Sequence, residues 1–223
     1  MRVGARLAVN ASEVTATSME QVPKSGPVIL AVRHYHHLLD GLGLLAHSHR
    51  PLHIMIGLDW VSTRRARWLM ESLARGCAWP VTLRTDEDRH GDGEPGFEAA
   101  SAYRPDEIRS YQQRAFRQCV ALLGRERVVV FFPEGYPVID PHTVRKARQE
   151  TLAPFKAGFA RAAVAAARRH GRPVSVVPVG IRANAANPCE LAFGYGRARV
   201  VSATSDVEGL VEHVRADVCR LSR

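Results

Sequence analysis

Short β-prone runs alternate with longer helical stretches along this chain, and this alternation restricts the folds it can adopt. Three runs are almost wholly apolar, over residues 28–33, 127–132 and 174–179. Strands that are apolar on both faces are typical of parallel sheets with helices on both sides. Helical patterns occupy the intervals between these runs. The sequence therefore predicts an α/β fold with a largely parallel mixed sheet flanked by helices.

The length of the chain favours one domain. A chain of 223 residues can bury a sizeable core, and we expect a single domain over residues 1–223. Residues 85–104 carry charges, glycines and prolines with little apolar periodicity. This composition predicts a mobile loop within that domain.

The charge of the chain points to an anionic partner. The formal net charge is +9. A phosphorylated substrate, an anionic membrane surface or nucleic acid would suit this charge, although a basic solvated surface gives the same total. No basic and aromatic pattern of a known nucleic-acid module is present, so we expect no nucleic-acid partner.

Cysteine spacing and hydropathy indicate the compartment. The four cysteines, at positions 77, 119, 189 and 219, are far apart and include no Cys-x-x-Cys pair. Reduced thiols in the cytoplasm fit this spacing better than a disulfide framework or a zinc site. The sequence shows neither the ~18 apolar residues of a membrane span nor a signal-peptide core. We therefore expect a cytoplasmic protein, soluble or peripheral on the inner face of the membrane.

Residues 61–75 are predicted to form a helix that mixes basic and large apolar side chains. The basic residues are Arg64, Arg65, Arg67 and Arg75, and the apolar ones include Trp60, Trp68, Leu69, Met70 and Leu73. A short helix of this kind can lie on a layer of lipid head groups. An ordinary half-exposed helix has the same composition, so both interpretations stay open.

A cluster of titratable side chains follows the first buried run. His34, His36, His37 and Asp40 come directly after residues 28–33. Strand ends are where α/β proteins present polar side chains to ligands. A histidine there can titrate near neutral pH, and an aspartate within reach can fix its tautomer and support its charged form. This cluster is therefore the predicted reactive site.

Three further blocks follow the cluster in a fixed order. They are Arg84 at a predicted strand end, Phe132-Pro133-Glu134-Gly135, and a late pair made of residues 155–158 and 176–179. The whole order resembles the glycerolipid acyltransferases, the family of 1-acylglycerol-3-phosphate acyltransferase. That family has a His-x4-Asp block, a middle block ending in arginine, a Phe-Pro-Glu-Gly-Thr-Arg block and a late Val-Pro block. The resemblance covers roughly residues 20–182.

The resemblance implies an enzyme of phospholipid biosynthesis that moves a fatty acyl group to a hydroxyl of a lysophospholipid-like or other acceptor. The donor would be an acyl thioester, on coenzyme A or on acyl carrier protein, used as a co-substrate. No cofactor, no metal and no acyl-enzyme intermediate are implied. The implied residues are two catalytic ones, His34 and Asp40, and four that bind substrate, Arg84, Glu134, Gly135 and Lys156.

The chain departs from the family pattern in the spacing of its histidine and aspartate. Aligning the preceding strand puts His34 in the catalytic place, six positions before Asp40 instead of five. On a helix these side chains would point about 240° apart, so they can pair only across a loop. His36 and His37 lie four and three positions before Asp40 and would share a helical face with it. His34 is the favoured base, and His36 and His37 are the alternatives.

A second departure concerns the acceptor. Tyr136-Pro137 stands where the family has threonine and an arginine that would help to hold the acceptor's phosphate. Arg84 still matches the middle block, and Arg145, Lys146 and Lys156 could supply further charge. The identity of the acceptor therefore stays open.

Two other functions compete with acyl transfer. His34, His36, His37 and Asp40 could hold a metal ion for hydrolysis, although alternation along a strand would send His37 to the opposite face. The basic charge could instead belong to a non-catalytic protein that binds anionic lipid at a membrane surface.

Overall fold

A computed structural model of the protein describes residues 14–84, 101–138, 152–184, 187 and 190–223. Most of the predicted loop over 85–104 lies outside these residues. So do Cys189 and two candidate cations, Arg145 and Lys146.

The elements of the described residues alternate as the sequence predicts. The strands are β1 (Val14–Thr17), β2 (Val28–Val32), β3 (Leu52–Ile54), β4 (Ile56–Gly57), β5 (Val81–Thr82), β6 (Val128–Phe131), β7 (Val174–Ala183), β8 (Leu191–Tyr195) and β9 (Arg199–Val201). The α-helices are α1 (Leu39–His47), α2 (Arg64–Gly76), α3 (Ile108–Gly124), α4 (Gly158–His170) and α5 (Val207–Leu221). None of these helices is both long and apolar enough to pass through a bilayer.

The main sheet is mostly parallel, with strand β2 near its centre. Its strand order is β1-β8-β7-β2-β6-β3, and β9 also pairs with β7. β2 runs parallel to both β6 and β7, while β7 runs antiparallel to β8 and β9. The predicted α/β class with a largely parallel mixed sheet is therefore confirmed.

The sheet separates two apolar layers. Val28, Leu30 and Val32 point to the layer that contains α1, and Ile29 and Ala31 point to the layer that contains α3, α4 and α5. Side chains of a strand alternate between its faces, so a strand covered on both sides must be apolar at every position. All five residues of β2 are buried accordingly.

Pairing determines where several strands begin and end. Strands β3 and β4 are separated at Met55, because β3 pairs with β6 whereas β4 pairs with β5 in a separate two-stranded sheet. The predicted strand over 174–179 continues to Ala183, since its last part pairs with β8. Both features depend on partners that are distant in the sequence.

Helix α2 is fixed to the rest of the protein through Arg67. Its guanidinium donates hydrogen bonds to Glu71, Glu107 and the Tyr111 hydroxyl, at 3.2, 2.7 and 3.1 Å. It also lies 4.2 Å from the centre of the Tyr103 ring. The hydrogen bond from Arg67 and one from the Arg104 backbone N–H lower the pKa of Glu107 to about 2. A small apolar cluster under α2 completes this attachment.

We expect the attachment of α2 to weaken in acid. The pKa of Glu107 is about 2 in the folded protein against an ordinary 4.5. Its contribution to stability is therefore complete above the ordinary value and is lost as the pH falls through the folded value. Urea unfolding at several pH values should show a shallower acid loss for Glu107→Gln than for the native chain. Glu212→Gln, an exposed change on α5, is the control; equal acid losses in all three proteins would contradict the assignment.

Candidate active site

The site lies where β2 ends and α1 begins. His34 follows β2 by two residues, and Asp40 is the second residue of α1. His34 Nδ1 lies 2.9 Å from Asp40 Oδ2. The chain between β2 and Leu39 is not helical, so the loop that this pairing requires is present. The structure thus brings the favoured histidine and the aspartate into direct contact.

The environment of Asp40 determines how the histidine is protonated. Asp40 is fully buried. The backbone N–H of Tyr35 donates to Oδ2 at 2.7 Å, and that of His36 lies 3.0 Å from both carboxylate oxygens. A carboxylate acts only as an acceptor of hydrogen bonds, so the ring nitrogen that meets it is the donor. His34 Nδ1 therefore carries the hydrogen that it donates to Asp40, and the lone pair of the neutral ring is on Nε2.

The ring of His34 is also held from its face. Phe132 stacks on it with the ring centres 4.2 Å apart and the planes 23° from parallel. The His34 carbonyl accepts a hydrogen bond from the N–H of Val138 at 3.1 Å. The sequence indicated Phe132 only as a member of the Phe-Pro-Glu-Gly block and did not predict its contact with the histidine. The two residues follow neighbouring strands that are far apart in the sequence, so no local pattern could reveal this contact.

The buried Glu134 carboxylate binds the backbone of the histidine. This carboxylate is 3% exposed. One oxygen accepts a hydrogen bond from the backbone N–H of His34 at 2.8 Å, and the other accepts from that of Ala153 at 3.0 Å. The resemblance implied that Glu134 binds substrate. Its burial and its bonds to two backbone segments also fix the position of the His34 backbone.

Gly135 turns the chain beside this carboxylate. Its φ of +81° lies in the left-handed region, where a side chain is strained. A Cβ there would lie 3.4 Å from the Lys156 side chain. The Gly135 N–H donates to the Phe132 carbonyl at 3.0 Å, and the Lys156 N–H donates to the Pro133 carbonyl at 2.9 Å. Gly135 and Lys156 thus shape the backbone at the edge of the site.

Arg84 reaches the same edge from strand β5. Its Nε donates to Asp59 Oδ2 at 2.8 Å, and one terminal nitrogen donates to the Gly135 carbonyl at 3.3 Å. The guanidinium lies 4.5 Å from the centre of the Tyr136 ring, and Lys156 Nζ lies 5.8 Å from it. Tyr136, which replaces the family's threonine, therefore contacts both predicted cations. The sequence did not indicate Asp59, and it marked Tyr136 only as a departure from the family pattern.

The other two histidines have different environments. His36 Nδ1 accepts hydrogen bonds from the N–H groups of Leu38 and Leu39, each at 3.2 Å. These bonds satisfy donors at the start of α1, which has no other side-chain cap among the described residues. His37 is exposed and stacks on His36 at 4.6 Å.

No metal-binding group was found in the part of the chain that the structure describes. There, no three His, Cys, Asp or Glu side chains are grouped in a way that could hold an ion. The geometry of the four residues at positions 34, 36, 37 and 40 is that of a histidine–carboxylate pair with two further histidines nearby.

Comparison with known proteins identifies the class to which this chain belongs. The sequence model of the family described as Acyltransferase matches residues 13–182, which is most of the chain, so the protein belongs to that family. Among solved structures, it is similar to the 1-acyl-sn-glycerophosphate (LPA) acyltransferase PlsC from Thermotoga maritima, with a TM-score of 0.59 and 16% identity over 98% of this chain and 75% of that one. This likeness shows the fold. No curated protein matches the chain.

We expect Glu134→Gln to damage both stability and activity. The amide would present hydrogens to one of the two backbone N–H donors, which leaves a buried donor without an acceptor at a cost of about 1–3 kcal/mol. Urea unfolding should show that loss, and His34 should be displaced, so that kcat falls further than stability alone explains. Glu20→Gln, on the surface, is the control. A Glu134→Gln protein with native stability and kcat would contradict the positioning role.

Proposed function

We propose that this chain transfers a fatty acyl group from an acyl thioester to a hydroxyl of a glycerolipid-like acceptor, with His34 as the general base. The observation that carries the proposal is the contact between His34 Nδ1 and the buried Asp40 carboxylate at 2.9 Å, in a member of the acyltransferase family. A hydroxyl is a weak nucleophile at neutral pH, and a neutral imidazole within ~3 Å can take its proton as it attacks.

The proposed reaction is direct transfer. The acceptor hydroxyl loses its proton to His34 Nε2 while its oxygen forms a bond to the thioester carbonyl carbon. Asp40 holds the ring and stabilises the resulting imidazolium without taking the proton itself. When the carbon–sulfur bond breaks, the leaving thiolate receives the proton from Nε2, and the neutral histidine is restored. The carrier of the thioester is coenzyme A or acyl carrier protein.

The acceptor is proposed to place an anionic head group against Arg84 and Lys156. Both cations contact the Tyr136 ring next to Gly135, close to the backbone turn that supports His34. Part of the Arg84 charge is offset by the buried Asp59 carboxylate. The solved relative is an acyltransferase of 1-acyl-sn-glycerophosphate, which supports a lysophospholipid as the first acceptor to test. Such an acceptor is presented at a membrane surface, so we propose that the chain works there.

His34→Ala is expected to lower kcat by about 10²–10⁴-fold, the usual contribution of a general base. Asp40→Asn should also lower kcat strongly, since an amide no longer favours the correct tautomer. The measurement is release of free thiol from a panel of acyl thioesters in the presence of 1-acylglycerol-3-phosphate and related alcohols. His37→Ala, which changes an exposed neighbouring ring, is the matched control and should keep nearly full activity. Similar small losses at His34 and His37 would contradict the assignment.

Arg84 is tested together with its partner, because Arg84→Gln alone would leave the Asp59 carboxylate buried without its guanidinium. In the double variant Asp59→Asn/Arg84→Gln, we expect KM for a phosphate-bearing acceptor to rise about 10–100-fold, the effect of one charged hydrogen bond. KM for the matching acceptor without a phosphate should stay within twofold or so of native. Equal changes for the two acceptors would show that Arg84 does not meet the head group.

A further inference from the structure

Exposed apolar side chains are concentrated on one helix. Seven large apolar residues of the described chain are exposed, and four of them belong to α2 or to the turn before it. These four are Trp60, Trp68, Leu69 and Leu73, with Trp68 72% exposed. We call this surface the α2 outer face, and we include in it the exposed arginines Arg64, Arg65 and Arg75.

The helix has two distinct sides. Ala66, Met70 and Ala74 face the apolar cluster beneath α2, as expected for residues spaced by four positions. Measured around the helix from Met70, Trp68 lies about 160° away, whereas Leu69 and Leu73 lie about 100° and 60° away. The exposed apolar residues therefore extend from the border of the buried row to the side that faces away from it.

The α2 outer face is also strongly basic. Glu71 is the only acidic residue of the helix, and it is bound to Arg67 and to the Tyr111 hydroxyl on the inner side. Among the described residues, Arg64, Arg65 and Arg75 take part in no recorded ion pair. Three exposed arginines that form no ion pair with the described residues create a surface that attracts anions.

The orientation of this face is fixed. The hydrogen bonds of Arg67 to Glu71, Glu107 and Tyr111 hold α2 from behind. The Trp60 ring nitrogen donates to the Gly57 carbonyl at 3.0 Å. The apolar side chains therefore cannot turn inward without breaking these interactions.

The α2 outer face is connected to the acceptor side of the site. Trp60 follows Asp59, whose carboxylate binds Arg84, and Arg84 reaches the carbonyl of Gly135. Glu134, the neighbour of Gly135, binds the backbone of His34. One short series of contacts thus joins the exposed face to the reacting group.

We propose that the α2 outer face binds the surface of an anionic phospholipid membrane, with α2 lying in the plane of the head groups. Trp68, Leu69 and Leu73 would enter the boundary between head groups and acyl chains, where tryptophan and leucine are stable. The arginines would contact lipid phosphates. At 13 residues the helix is about 20 Å long, which suits a surface helix. The proposal refines the proposed function, because it states how the site would meet a lipid acceptor.

The apolar residues distinguish a membrane from an acidic protein partner. An acidic carrier protein would match the arginines, but it gives no reason for two tryptophans and two leucines to be exposed beside them. Arginine together with tryptophan and leucine on one helical side is the composition of membrane-surface helices. Failure of the native protein to bind anionic vesicles would therefore contradict the membrane and favour an acidic protein.

The test is sedimentation of the full chain with vesicles, without any thioester. Native protein should bind vesicles rich in phosphatidylglycerol far more tightly than vesicles of pure phosphatidylcholine. Arg64→Gln/Arg65→Gln should bind them about 30-fold more weakly, from the loss of two surface arginines. Trp68→Ser/Leu69→Ser should also lose binding, and the blue shift of tryptophan fluorescence on vesicle addition should disappear. Circular dichroism would confirm that each variant is folded.

Matched controls lie elsewhere on the surface. Arg161→Gln/Arg169→Gln removes two exposed arginines from α4, and Val200→Ser removes an apolar side chain that is as exposed as Trp68. Both controls should bind like the native protein. The proposal is overturned if the α2 variants bind as the controls do. It is also overturned if only the arginine variant loses binding, because the apolar side chains would then take no part in it and the attraction would be purely electrostatic.

Failure of this inference and failure of the proposed function give different results. Vesicle binding without acyl transfer to any acceptor would support the membrane-binding face and contradict the proposed reaction. Transfer to a short-chain, water-soluble acceptor by a protein that does not bind vesicles would support the reaction and contradict the membrane-binding face. The α2 variants should retain native kcat with that soluble acceptor, since α2 lies outside the reacting groups.

Discussion

The buried carboxylate of Asp40 is the interaction on which the active site depends. It accepts hydrogen bonds from the backbone of Tyr35 and His36 and from the ring of His34. A charge removed from water needs such donors, and here they all come from the loop between β2 and α1. The same bonds that stabilise Asp40 therefore fix the shape of this loop. They also place the proposed base with its Nδ1 hydrogen donated inward, which leaves Nε2 as the proton acceptor.

Other buried acids in the described chain join segments that are farther apart. Glu134 connects the backbone at His34 with the backbone at Ala153, Asp59 binds Arg84, and Asp217 binds Arg199. A carboxylate removed from water needs such partners, and each of these acids finds them on another part of the fold.

Much of the architecture and the favoured catalytic pair could be predicted before the structure. The order of buried strands and helices follows from hydrophobic periodicity, which depends on local sequence. The choice of His34 over His36 and His37 needed the family resemblance, and the contact with Asp40 agrees with it. The separation of β3 from β4 at Met55, the length of β7 and the support of His34 by Glu134 were not predicted. Each depends on a partner far away in the chain.

The sequence by itself determined the α/β class, the order of the motifs and the excess of positive charge, because these are properties of composition and local spacing. Only the tertiary structure decided which groups meet. It turned Glu134 inward onto two backbone segments, set Tyr136 against Arg84 and Lys156, and left one side of α2 uncovered. The physical reason is that a hydrogen bond or a ring contact requires atoms within a few ångströms of each other. Sheet pairing and helix packing bring such atoms together even when their residues are 100 or more positions apart in the sequence.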